Sequence, residues 1–152
     1  MAKNSEGPFL AAAFLCQVVI EGKDGVLSAI RIVDRVTHTI MGPAAPETMP
    51  SFTYTAKLLL AFKSGAARGK HKVQLSVEAP SGAPTGQTIS FPALFEGEDR
   101  GANFILDFAL TPKEEGLYWL DVLLDDKRVT RVPLRIVYQR LETGGAPQGA
   151  GS

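Results

Sequence analysis

Glu114-Glu115-Gly116-Leu117-Tyr118-Trp119 is the stretch that decides the fold. An acidic-x-Gly-x-Tyr segment opens the penultimate strand of immunoglobulin-type sandwiches, where the tyrosine hydroxyl bonds back to the backbone just upstream. Tyr118 shares one side of an extended chain with Leu120, Val122 and Leu124, so the ring enters a core at a corner. Antibody domains place a cysteine two residues after that tyrosine; Leu120 stands there instead. With one cysteine in 152 residues, no intrachain disulfide can form and apolar packing alone must join the layers. The expectation is an all-β, immunoglobulin-like antiparallel β-sandwich.

On either side of this segment the apolar period is two rather than 3.6. Tyr54, Ala56, Leu58, Leu60 and Phe62 alternate with Thr55 and Lys57; Val73, Leu75 and Val77 alternate with Lys72, Gln74, Ser76 and Glu78. The same holds for Phe104, Leu106, Phe108 and Leu110, and for Val132, Leu134, Ile136 and Tyr138. One apolar and one wet face is the pattern of an antiparallel sheet over a core. Turn residues punctuate the segments: 21–25, the Pro-rich 43–50, 64–69, 80–86 and the tight reversal Asp125-Asp126-Lys127. The spacing predicts about eight strands. Residues 1–140 read as a single domain, and 141–152, rich in Gly, Ala and Pro, as a flexible tail.

Sixteen Lys+Arg balance sixteen Asp+Glu, so no global attraction draws the chain to nucleic acid or an anionic bilayer. The 45% hydrophobic content excludes wholesale disorder. Pro8 to Ile20 is a largely apolar run after Lys3. It lacks the clean break of a secretory signal, has Leu15 rather than a small residue before Cys16, and is shorter than the ~20 residues of a membrane helix. It reads as a buried first strand, and the working localisation is the cytoplasm.

Three stretches carry a family likeness: Ala13-Phe14-Leu15-Cys16, the run 23–34 beginning Lys23-Asp24-Gly25, and Glu115-Gly116-Leu117-Tyr118 with Asp121 to Asp125. Over roughly residues 8–140 the chain resembles a bacterial family of small immunoglobulin-like β-sandwich proteins known as a domain of unknown function. The resemblance implies a bacterial, cytoplasmic module without an established activity. An acidic residue often follows the cysteine in such proteins, and Gln17 departs from that.

Cys16 would need His38 or His71 to act as a nucleophile, but its neighbours Phe14, Leu15, Val18 and Val19 favour an inert core thiol. Glu96, Glu98 and Asp99 are the weak metal candidates, with Asp121, Asp125 and Asp126 as further ligands if loops meet. Hard cations want several oxygens on a short loop, yet the spacing is not that of an EF-hand, and a solvated loop is expected. No metal or other cofactor is expected. Phosphate-cradling and nucleophile-elbow motifs are absent from the sequence.

Lys57, Lys63, Arg68, Lys70 and Lys72 form a one-signed run. Arg68, Lys70 and Lys72 are the basic-patch candidates for an anionic partner, against the plainer role of lysines protecting a sheet edge. Leu117, Trp119 and Leu123 lie out of phase with the core residues of their strand, and Leu59, Ala61 and Ile105 show the same excess. Either these residues face another protein, with Trp119 as anchor, or Trp119 is a core residue and the register is off by one. The leading expectation is a non-catalytic accessory module binding another protein or itself; the alternative is an ion- or small-ligand-binding domain using the acidic loop. An enzyme is disfavoured, and nucleic acid is a minor reading. The cations at 57–72 and 128–135 and the acids at 96–99 and 121–126 predict a segmented surface.

Overall fold

A computed structural model describes residues 6–141. Its strands are β1 (Phe9–Glu21), β2 (Leu27–Val33), β3 (Arg35–Met41), β4 (Tyr54–Glu78), β5 (Pro84–Leu110), β6 (Gly116–Leu124) and β7 (Lys127–Leu141). They hydrogen-bond in the order β2-β1-β4-β6-β7-β3, with β5 alongside β4. The two longest strands fold this sheet into two layers. At 25 and 27 residues, β4 and β5 far exceed the usual 3–10, and each serves both layers. Residues 57–63 of β4 pair with β1, and residues 54–63 pair with residues 101–110 of β5; later residues of β4 pair with β6 and with the first half of β5. Sheet I is therefore β2, β1, the first half of β4 and the second half of β5. Sheet II is the first half of β5, the second half of β4, then β6, β7 and β3.

The bend between layers is built from small residues. The β4–β5 register shifts at Gly65 and again before Arg68. Gly65 has φ 59°, and a Cβ there would sit 2.3 Å from the Glu6 carbonyl oxygen, so no larger residue fits. Ser64, 1% exposed, donates its hydroxyl to the Arg100 carbonyl (2.8 Å) and accepts the Glu96 N–H (3.2 Å). Residues 64–69 and 96–99 were expected as a connection and a loop. They are instead two bends inside continuous strands, clamped to each other, which is why seven strands do the work of more.

Leu58, Leu60 and Phe62 of sheet I meet Val73, Leu75, Val77, Leu120 and Leu134 of sheet II in one core. Phe62 bridges the layers edge-on, 5.7 Å from the Phe95 ring and 6.1 Å from Phe104. The corner expected at Tyr118 is present. Its hydroxyl donates to the Glu114 carbonyl at 2.8 Å, and burial pushes its phenol pKa up, partly offset by that bond. Gly116 opens the strand at φ 131°, with Pro80 so close that a Cβ would lie 2.8 Å from two of its carbons. Asp125 (φ 50°) and Asp126 (φ 69°) make the two-residue turn with both central residues left-handed that suits a hairpin.

The segment from Leu27 to Ile40 breaks at Asp34, leaving β2 in sheet I and β3 in sheet II. Three expectations need correction. Beta3 runs parallel to β7, so the sandwich is not antiparallel throughout. Beta1 is central in sheet I, yet it is not buried along its whole length. Leu15 is fully buried, whereas Val18 and Ile20 are 44% and 50% exposed. Leu141 ends β7 rather than starting a tail; residues 142–152 lie outside the described residues. Among the described residues, no helix is long and apolar enough to cross a membrane.

Candidate functional site

The outer face of sheet II gathers two groups of residues that the sequence nominated separately. On β6, Tyr118, Leu120, Val122 and Leu124 point into the core, while Leu117, Trp119 and Leu123 are half-buried on the other side. The strand register inferred from alternation holds, and Trp119 is outside the core. Because β4 lies beside β6, with Gln74 opposite Leu123, Lys70 and Lys72 fall on this same face. Arg68 does not join them. Its guanidinium covers Gly97 and donates to the Glu96 carbonyl at 2.8 Å, bracing the bend of β5. Lys57 and Lys63 project from sheet I instead, since β4 changes layer between them and Lys70; the one-signed run is not one patch.

A charged network that the sequence did not reveal holds Trp119. Arg131 stands opposite Asp121 on the neighbouring strand. Its Nε donates to Asp121 Oδ1 at 2.6 Å and its Nη2 to Glu78 Oε1 at 2.8 Å, while its Cζ lies 4.8 Å from the Trp119 ring centroid. The guanidinium thus forks between two carboxylates and stacks on the indole, a combination of planar donors and delocalised charge that lysine lacks. The Asp121 hydrogen bond is the main cause of a raised Arg131 pKa. Arg128 reaches the same Asp121 oxygen at 3.7 Å. Arg35 and Arg135 stand directly opposite each other on β3 and β7; neither they nor Lys70 make an ion pair among the described residues. Like charges opposite one another cost stability, so this part of the face favours an anion.

The expected separation of acids from cations does not survive folding at 121–126. Asp121 is tied to Arg131 and Arg128, Asp126 to Lys72 at 2.7 Å, and Asp125 to His71. His71 Nδ1 lies 2.6 Å from Asp125 Oδ2 and its Nε2 3.3 Å from the Arg68 carbonyl. Both partners offer oxygens to the ring, one at each nitrogen. The Lys72 backbone N–H, then the His71 ring, hold the Asp125 carboxyl pKa below its ordinary value.

Glu96, Glu98 and Asp99 occupy the β5 bend, where Glu96 pairs with Arg100 at 3.3 Å. Among the described residues, no three His, Cys, Asp or Glu side chains converge as a metal site would require. Cys16 is fully buried, but on the outer side of sheet I and not in the core expected for it. Burial raises its thiol pKa, and its hydrogen bond goes to the Val18 carbonyl at 3.6 Å. His38 stacks on Phe52 with centroids 4.0 Å apart, and His71 is held by Asp125; neither is brought to the thiol.

Leu59, Ala61 and Ile105 lie on the outer face of sheet I with Phe14, one row being Phe14, Leu59 and Ile105. The excess of apolar residues seen in the sequence thus divides between two opposite faces.

No curated protein sequence matches the chain. Among solved structures, a β-glucosidase from Listeria innocua in complex with glucose superposes with a TM-score of 0.49 at 9% identity, over 90% of this chain and 18% of that one. An alkylpurine DNA glycosylase from Pseudomonas fluorescens, bound to DNA containing an abasic site analog, gives 0.41 at 11% identity, over 65% and 27%. An immunoglobulin-like protein from Pseudomonas aeruginosa gives 0.40 at 12% identity, over 87% and 98%. The chain spans only 18% and 27% of the two enzymes' lengths. Residues 11–137 match the model of a family of unknown function, DUF6941, in agreement with the resemblance carried by the cysteine and tyrosine segments. With that match spanning most of its length, the chain belongs to this family.

Proposed function

We propose that the chain is a non-catalytic, cytoplasmic binding module that docks an acidic segment of another protein on the outer face of sheet II. The observation that carries this reading is the position of Trp119. The one tryptophan of the chain stands outside the core between Leu117 and Leu123, half-buried and with Arg131 stacked on its ring. Tryptophan and arginine are the residues most enriched among those that dominate interface energies. Cations without ion-pair partners among the described residues, Lys70, Arg35 and Arg135, favour an acidic partner and would steer its approach. The non-catalytic reading rests on what the polar groups already do: His71 and Asp125 hold each other, Arg68 braces a bend, and burial quiets the Cys16 thiol.

Trp119 fluorescence reports directly on the site because no other tryptophan contributes. Titration with an acidic peptide containing interspersed aromatic residues is expected to give a saturable change that weakens as salt is added. The same titration with a basic peptide should give none. Arg35→Glu combined with Arg135→Glu should abolish the change. A flat titration with the acidic peptide, or a response that survives the double variant, would refute the proposal.

A further inference from the structure

The opposite face of the sandwich is of a different kind. On the outer side of sheet I, Val18 is paired with Ile30, and Cys16 with Ile32. The row beside them is Phe14, Leu59 and Ile105. Val18, Ile20, Ile30, Ile32 and Ile105 are each between 40% and 64% exposed. Five large aliphatic side chains half in water on one sheet face exceed the scattered single residues of an ordinary surface.

We infer that this face binds a second copy of the chain, sheet I against sheet I about a two-fold axis. Charge is the first reason. The ion pair on the apolar rows is Lys57 with Asp107, which closes within one chain and leaves that region neutral, so identical faces meet without repulsion. The outer face of sheet II, with its surplus of cations, would repel its own copy. Area is the second reason. At ~3.3 Å per residue and ~4.8 Å per strand, the four strand segments present about 600 Å², the lower end of one partner's share of a standard interface. Geometry is the third. Two sheets facing each other at ~10 Å is the packing already used inside the sandwich.

Edge-to-edge joining is the competing way to use sheet I, and its β2 edge opposes it. Arg31 in β2 has φ 62° and donates Nε to Gln17 Oε1 at 2.7 Å. A left-handed residue in mid-strand interrupts the row of donors and acceptors that a neighbouring strand would need. Residues 142–152 contain no Val, Leu, Ile, Met or aromatic residue, so they do not supply a cover of matching chemistry.

Sedimentation velocity of the full chain, from low micromolar to near-millimolar concentration, tests this. The expected result is a concentration-dependent shift from one chain mass to two. Ile105→Glu and Ile30→Glu should each weaken self-association by about tenfold or more, because a two-fold contact buries the new carboxylate twice. Circular dichroism melts establish that the variants fold; Ile32→Glu, at the most exposed position, substitutes for either that does not. Trp119→Ala should leave self-association unchanged, which separates this surface from the face of sheet II. A chain monomeric at every concentration overturns the inference, as does a dimer that tolerates these substitutions or one that Trp119→Ala dissolves.

Discussion

The two outer faces of this sandwich differ in how they treat an apolar side chain outside the core. On sheet II, Trp119 is engaged from its own chain by Arg131, which is in turn held by Asp121 and Glu78. On sheet I, Ile30, Ile32 and Ile105 are left to water. The first face is polar enough to remain soluble while keeping an aromatic anchor in a fixed orientation. The second has no comparable polar frame and is stabilised by being covered. The same excess of apolar residues over what one core needs has therefore been resolved in two ways.

The largest contrast lies between neighbours on β6. Leu120 faces the core and is 2% exposed, so Leu120→Ala is expected to cost about 2–5 kcal/mol of unfolding free energy, measured by denaturant titration. Trp119→Ala removes a larger side chain yet should cost about 1 kcal/mol or less, while abolishing acidic-peptide binding, followed by calorimetry now that the fluorescent reporter is gone. Equal losses of stability would place Trp119 among the core residues and dissolve the distinction between the faces. Tyr118→Phe removes only the bond to the Glu114 carbonyl. It should cost about 1 kcal/mol and affect both faces alike, because the corner supports the layers and not either surface.

Asp121→Asn acts on one face alone. It takes a carboxylate from Arg131 and leaves Glu78 as its ion-pair partner. Acidic-peptide affinity is expected to rise a few-fold and to fall more steeply with salt, measured by titration at several ionic strengths, while the sedimentation behaviour stays as it was. A change in self-association instead would mean that the faces are coupled.

The alternation along β6 and the Gly116–Tyr118 corner were legible because both are local: side-chain direction has period two, and the corner lies within five residues. The left-handed turn at Asp125 and Asp126 was legible for the same reason. The pairing of Asp121 with Arg131 was not. Counting back from that two-residue turn places Thr130 opposite Asp121, but the register shifts between Val122 and Leu123, with Val129 as the extra residue, and brings Arg131 there instead. Nor does alternation say which layer a strand joins. Leu59 and Trp119 show the same outward excess in sequence, and only the bend at residues 64–69 sends one to sheet I and leaves the other on sheet II. The break at Asp34 carries no turn signature; the switch from β2 to β3 is set by which partners, β1 and β7, offer a free edge.

The smallest expected effect concerns acid, and it too distinguishes the faces. Asp125 closes the turn at the end of sheet II, where its Oδ1 accepts the Lys72 N–H at 2.9 Å and its Oδ2 meets His71. These contacts lower its folded-state pKa from the ordinary 3.8. A carboxyl with a depressed folded pKa contributes stability that is fully present above the unfolded value and lost as pH falls through the folded one. The loss therefore begins below about pH 4. With its side chain half exposed, the contribution is screened and small. Asp125→Asn keeps an acceptor for Lys72 and tolerates the left-handed backbone, but carries no charge to titrate. The variant should melt slightly below the wild type at neutral pH, and the gap should close as the pH drops below 4. The acid-induced loosening should register in Trp119 fluorescence before any change in sheet I self-association. Dissociation of the sheet I contact before any change in fluorescence would mean that the Asp125 turn does not set the acid sensitivity and that the two faces are not independent.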